Sequence, residues 1–287
     1  MRFLRFSQTG KLGLAVADGD RFYGFLDGDD GYPGDLDKLV AAGGGGLKSA
    51  ASVLRAGREI DLNAVAYLPP FTGAGSKIIC LGINYVDHAA ETGYEPPSFP
   101  TIFARFADTL IGHGAPLVVP RVSDQYDYEG ELVAVIGKTG KHISREAALD
   151  YVAGYSIFND GSVRDWQKQT PQWTVGKNFD NSGAFGPYFV TADEVPAGGA
   201  GLAIQTRLNG RVVQNASTAD MVFSVIDTVT LLSKAMTLRA GDILVMGTPP
   251  GVGMARKPPL YMKQGDVCEV EIEGLGILRN PVTAEAA

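Results

Sequence analysis

Two short, unbroken apolar runs constrain this chain most: "ELVAVIG", Glu131 to Gly137, and "YVAGYSIFND", Tyr151 to Asp160. Each is of strand length, is bounded by turns and carries acid at one end. Runs without polar alternation are the pattern of strands covered on both faces, so they place a sheet in the middle of the core. Just upstream, "YDYEGE" sets Asp127, Glu129 and Glu131 at every second position. On a strand such residues share a face, roughly 6–7 Å apart. Ionised carboxylates that close, at the mouth of a buried strand, repel one another and lose hydration; they require a proton, a cation or basic partners. A divalent ion satisfies Glu129 and Glu131 together, and Asp160, at the end of the second run, supplies a third oxygen. A donor set without Cys or His selects a hard ion, Mg²⁺ or Mn²⁺ ahead of Ca²⁺. The competing readings are a solvated acidic face for the E-x-E and a helix N-cap for Asp160. Asp127 is expected to support the set rather than join it.

The rest of the chain fits a turn-rich, mainly β protein with some α. Glycine is unusually frequent, at 37 of 287 residues. "LGLAVADGDRFYGFLD" reads as two strands joined at Asp18-Gly19, and "AAGGGGLKSAASVLRAG" holds a short helix. "YLPPFTGAGSK" has linker composition, which sets the expected division at residues 1–70, a small β-rich unit, and 71–287, the larger one. "KIICLGINY" reads as a buried strand. In "ADMVFSVIDTVTLLSKAM", Val222, Val225, Ile226 and Val229 lie at helical spacing, so this is the expected longest helix. "LRAGDILVMGTP" and "MKQGDVCEVEIEG" each read as a turn launching a strand. A net charge of −7 without a basic run argues against nucleic acid or an anionic membrane as partner. No apolar run of about 18 residues occurs, so the cytoplasm is the default location. Cys80 and Cys268 fit reduced core thiols.

Several other groups carry chemistry. His88 and Glu91 in "NYVDHAAE" are three apart on a predicted helix, where the carboxylate can orient the imidazole and raise its basicity to make a water-activating dyad; an exposed helix pair is the alternative. Lys177 in "TVGKNFD" and Arg164 in "SVRDWQ", with Gln167 one turn on, can meet a substrate carboxylate or a developing oxyanion. "MGTPPGVG" ends a strand in a loop bearing the hydroxyl of Thr248. His113 and His142 have no comparable partner.

Taken in order, "GINYVDHAAETG", "YDYEGELVAVIGK", "FNDGSVRDWQ", "GKNFD" and "GTPPGVG" resemble the fumarylacetoacetate hydrolase family over roughly residues 75 to 285. The resemblance implies a mixed β-sandwich roll behind a smaller N-terminal domain, and a homodimer. It implies metal ligands at Glu129, Glu131 and Asp160, a dyad at His88 and Glu91 on a mobile lid, Lys177 near the oxyanion and Thr248 at the substrate carboxylate. Tyr94, Glu95 and Phe99 would shape the acyl pocket. The chain departs from the family pattern at Arg105-Phe106, where many members carry Lys-Pro; arginine can clamp a carboxylate but is a poor proton donor. The expected activity is hydrolysis of a carbon–carbon bond in an acylpyruvate-like β-diketo acid, as in aromatic catabolism, through an enolate that the cation neutralises. The same enolate serves the alternatives: decarboxylation of oxaloacetate, isomerisation of 2-hydroxyhepta-2,4-diene-1,7-dioate, or ureidoglycolate lyase chemistry.

Overall fold

The computed structural model describes residues 1–43, 45–86 and 98–286. The two apolar runs become Gly130–Ile136 and Val152–Asp160, antiparallel neighbours in register Glu131↔Phe158, Val133↔Ser156 and Val135↔Gly154. Both lie inside a mixed sheet of twelve strands among the described residues. Ile243–Val245, Ile78–Gly82 and Thr101–Arg105 continue it on one side, the first two as a parallel pair. On the other side Gly183–Thr191 is followed by Arg2–Gln8, Lys11–Asp18 and Arg21–Leu26. A second sheet of five strands runs Arg211–Ser217, Ala203–Leu208, Val267–Ile272, Gly276–Ala284, Leu117–Val119.

Alternation along the central strand sorts the core, as a pleated strand requires. Leu132, Ala134 and Ile136 pack with Ile204, Val270 and Leu278 of the five-stranded sheet. Val133 and Val135 face the opposite way, with Phe158, Phe185, Leu36 and Leu54. Glu131 belongs to this second face, which explains how a carboxylate comes to be enclosed. Leu36 and Leu54 come from two short helices, Leu36–Ala41 and Gly46–Leu54. The hairpin expected at Asp18-Gly19 is present, pairing Asp18 with Arg21. Arg2–Gln8 pairs antiparallel with Gly183–Thr191, so hydrogen bonding runs without interruption from residues before the expected division into the large sheet.

The longest helix among the described residues is Val225–Ala235. It is shorter than its apolar spacing suggests because Ser224 and Asp227 form a reciprocal capping box that starts it there, leaving Val222 outside. Cys80 and Cys268 are buried free thiols. No helix among the described residues is long and apolar enough to cross a membrane.

Candidate metal centre

Glu131 is the second residue of its strand and Asp160 the last of the neighbouring one, which brings their carboxylates to the same end of the sheet. Glu129 joins them just before the strand begins: its carbonyl accepts from Asp160 N at 2.8 Å and its N–H donates to Asn159 Oδ1 at 3.0 Å. The three are buried, and one oxygen from each lies within 4.8 Å of the others. The expectation that Asp127 shares their strand fails, because Tyr126–Asp127 pairs separately with Ser162–Val163. Asp127 instead accepts from Gly253 N at 2.7 Å, Met254 N at 3.0 Å and Arg164 Nε at 2.8 Å. It ties the glycine-rich loop to the site and is not among the clustered oxygens.

Three buried cations answer the acids. Lys177 Nζ lies 2.6 Å from Glu129 Oε2 and 2.5 Å from Asp160 Oδ2, over the ring of Phe103 at 4.8 Å. Arg164 Nη2 stands 2.6 Å from Glu129 Oε1, an ion pair without hydrogen-bond alignment, while its Nη1 donates to Gln167 at 2.8 Å. Arg105 pairs with Asp160 and donates to Ser182 Oγ at 2.5 Å and Gly161 O at 3.2 Å. The residue marked by its departure from the family pattern thus clamps a carboxylate of the protein itself. Burial would strip the Lys177 proton, but Asp160 and Glu129 outweigh it and hold the ammonium above its ordinary range.

Glu131 differs from the other acids. It accepts Gly247 N–H at 2.6 Å, and no ion pair reaches it among the described residues. Burial first, then repulsion from Asp160 and Glu129, pushes its carboxyl well above the usual range. Were Asp127, Glu129, Glu131 and Asp160 all ionised, four negative charges would face the three positive ones of Arg105, Arg164 and Lys177 among the described residues, and Glu131, which no ion pair reaches, would carry the surplus; without a cation it holds a proton instead. The oxygen-only donor set and this uncompensated carboxylate fit a hard divalent cation, which would turn a surplus of −1 into +1. The buried acidic triad can therefore hold a divalent metal.

A cavity of about 50 Å³ opens over Glu129 and Glu131, lined also by Arg164, Gln167, Lys168, Lys177, Thr248 and the apolar Leu81, Phe103, Trp173 and Met254. Trp173 packs so tightly on Gly82 that a Cβ there would stand 2.2 Å from the ring, so only glycine fits. Arg105 does not line the cavity. Thr248 does, but its hydroxyl proton is engaged: Gln214 accepts Gly130 N–H at 3.0 Å, which aims the Gln214 amide nitrogen at Thr248 Oγ1 at 2.8 Å, so Thr248 donates to Gly130 O at 3.0 Å. Thr248 therefore offers the cavity a lone pair. Gln214 and Asn159, both buried, escaped the sequence reading; their only signal is a polar residue inside a strand. Glu91, His88, Tyr94 and Glu95 lie outside the described residues. Phe99 is 64% exposed.

A family model described as "Fumarylacetoacetate (FAA) hydrolase C-terminal" matches residues 77–283. This chain belongs to the fumarylacetoacetate hydrolase family, a family of enzymes, and its mainly β architecture is that of the family's solved structures. Among relatives, "Oxaloacetate tautomerase fahd2, mitochondrial" of Xenopus laevis is 40% identical over 289 residues, covering 98% of this chain and 90% of that protein. "Oxaloacetate tautomerase FAHD2A, mitochondrial" of Homo sapiens is 39% identical, covering 94% and 87%. Among structures, the fumarylacetoacetate hydrolase of Exiguobacterium antarcticum superposes with a TM-score of 0.86 at 34% identity, covering 99% of this chain and 100% of that one. The 2-hydroxyhepta-2,4-diene-1,7-dioate isomerase of Mycobacterium marinum gives 0.77 at 29%, covering 100% of both.

Proposed function

We propose that this chain interconverts the keto and enol forms of a short 2-keto diacid of the oxaloacetate type, using Mg²⁺ or Mn²⁺, as a homodimer. The observation that carries this reading is the surplus carboxylate of Glu131 in the buried triad, and the relatives named oxaloacetate tautomerases favour it over carbon–carbon hydrolysis. A divalent ion held by Glu129, Glu131 and Asp160 would supply positive charge against the 2-keto oxygen and so acidify the adjacent carbon. Lys177 keeps its proton at Nζ beside that position and serves as the donor to the oxygen that becomes a hydroxyl. Arg164 Nη1 holds the Gln167 amide oxygen at 2.8 Å, which leaves the Gln167 N–H groups to fix the substrate's first carboxylate. His88 would move the proton at the adjacent carbon, with Glu91, three residues on in the sequence, as the group that would orient its imidazole. Phe103, Leu81 and Trp173 exclude water, which suits a proton shuttle that must not hydrolyse its substrate.

Hydrolysis of an acylpyruvate is the second reading, favoured by the likeness to the Exiguobacterium antarcticum hydrolase. The discriminating experiment supplies Mg²⁺ or Mn²⁺ and follows the decay of oxaloacetate enol absorbance beside acylpyruvate cleavage with product identification. Enol–keto interconversion that disappears in Lys177→Met is the expected result. Cleavage of acylpyruvates with no acceleration of oxaloacetate tautomerisation would replace the reading with hydrolysis.

A further inference from the structure

The inner cations of the cavity are committed. Arg164 and Lys177 are paired with carboxylates of the protein, and Arg105 lies behind Asp160. Lys168 is the exception: it lines the same cavity, is exposed at its rim, and makes no ion pair or side-chain hydrogen bond among the described residues. Its placement follows from local structure. Arg164–Gln167 is a single helical turn, and Lys168 caps it, donating its N–H to Arg164 O at 3.2 Å. Residues four apart share a helix face, about 6 Å apart along the axis, so Lys168 stands above Arg164 on the side that faces the cavity. The floor below carries the acidic triad. By the count above a divalent cation leaves it at +1, which one carboxylate neutralises, so no charge remains there for a second anion. A second carboxylate must therefore turn toward the rim, where Lys168 is, among the described residues, the cation without a partner.

We infer that Lys168 reads the second carboxylate of a short 2-keto diacid and thereby sets the preference of this site for diacids over monoacids of equal length. The inference rests on the tautomerase reading for its substrate class, and binding tests it separately from turnover. Malate and 2-hydroxybutanoate are chemically stable probes that differ in the second carboxylate. Calorimetric titration of the Mn²⁺-loaded full chain is expected to give a roughly 2–5-fold preference for malate, the size of one rim ion pair. Lys168→Gln brings the ratio to about one by weakening malate alone, Lys168→Glu takes it below one, and Lys168→Arg restores it. Raising the salt concentration shrinks the wild-type ratio and leaves that of Lys168→Gln unchanged. A wild type without preference, a ratio untouched in Lys168→Glu, or equal weakening of both probes in Lys168→Gln would overturn the inference. A malate preference that follows Lys168 in a protein that does not tautomerise oxaloacetate would sink the functional reading and leave this assignment standing. Tautomerisation with a ratio indifferent to Lys168 would do the reverse.

Discussion

Replacing Glu131 by Gln separates the cost of the metal centre from its use. The substitution keeps the shape and the acceptor for Gly247 N–H but is neutral without a proton, whereas the Glu131 carboxyl, raised well above the usual range between Asp160 and Glu129, must take one up to fold without metal. A carboxyl raised in the folded state costs stability at neutral pH, where the unfolded chain would ionise it, and avoiding that cost is worth about 1–3 kcal/mol. At about 2.1 cal/mol/K per residue, the 287 residues carry an unfolding entropy of roughly 0.6 kcal/mol/K, so the metal-free variant should melt about 2–5 °C above wild type. A divalent ion at a hundred times its Kd stabilises wild type by about 2.7 kcal/mol, or about 4–5 °C. The variant, having lost a charged ligand, should gain less than about 1 °C under the same conditions. Scanning calorimetry on chelator-treated protein, repeated with Mg²⁺ and Mn²⁺, reads both numbers. A variant that melts below wild type without metal, yet rises as much with it, would refute the charge surplus and the ligand role together.

Lys177→Met leaves Glu129 and Asp160 each short of a partner; metal-free stability should fall by about 3–5 kcal/mol, and chemical denaturation should show divalent ions restoring part of it. Because burial raises the Glu131 carboxyl, metal uptake must displace a proton. Apparent affinity should climb with pH, and calorimetry in two buffers of different ionisation enthalpy should detect proton release that Glu131→Gln abolishes. Gly253→Ala puts a Cβ 1.9 Å from Leu260 O and 2.6 Å from Asp127 Oδ1, so the loop should shift, cost about 1–3 kcal/mol by denaturant titration and lower turnover through Arg164. Asp227→Ala removes one half of the capping box and should cost about 1 kcal/mol in the same titration, with turnover intact.

What could be read from the residues follows how local each signal is. Unbroken apolar runs specify strands covered on both faces, and acids at their ends converge when the strands are neighbours, so the cluster of Glu129, Glu131 and Asp160 was legible in the sequence. Asp127 misled because alternation presupposes one continuous strand, whereas Tyr128 and Glu129 interrupt it. The neutralising cations were visible as candidates but not as partners: Arg105, Arg164 and Lys177 come from three separate segments, and pairing across such distances leaves no periodic trace. Gln214 was hidden for the same reason. Its task, aiming the Thr248 hydroxyl, exists only once Arg211–Ser217 lies beside the Thr248 loop.

The pairing of Arg2 with Val190 has a consequence for biosynthesis. Arg2–Gln8 hydrogen-bonds to a strand made nearly two hundred residues later. At about 5–20 residues per second the wait is roughly 10–40 s. During that interval the hairpin of Lys11–Asp18 and Arg21–Leu26 can form and cover one side of Arg2–Gln8. The other side, with Phe3, remains an open edge seeking a strand. Synthesis rate and chaperone supply should therefore affect the yield of this protein, with the vulnerable surface at the unpaired edge of Arg2–Gln8.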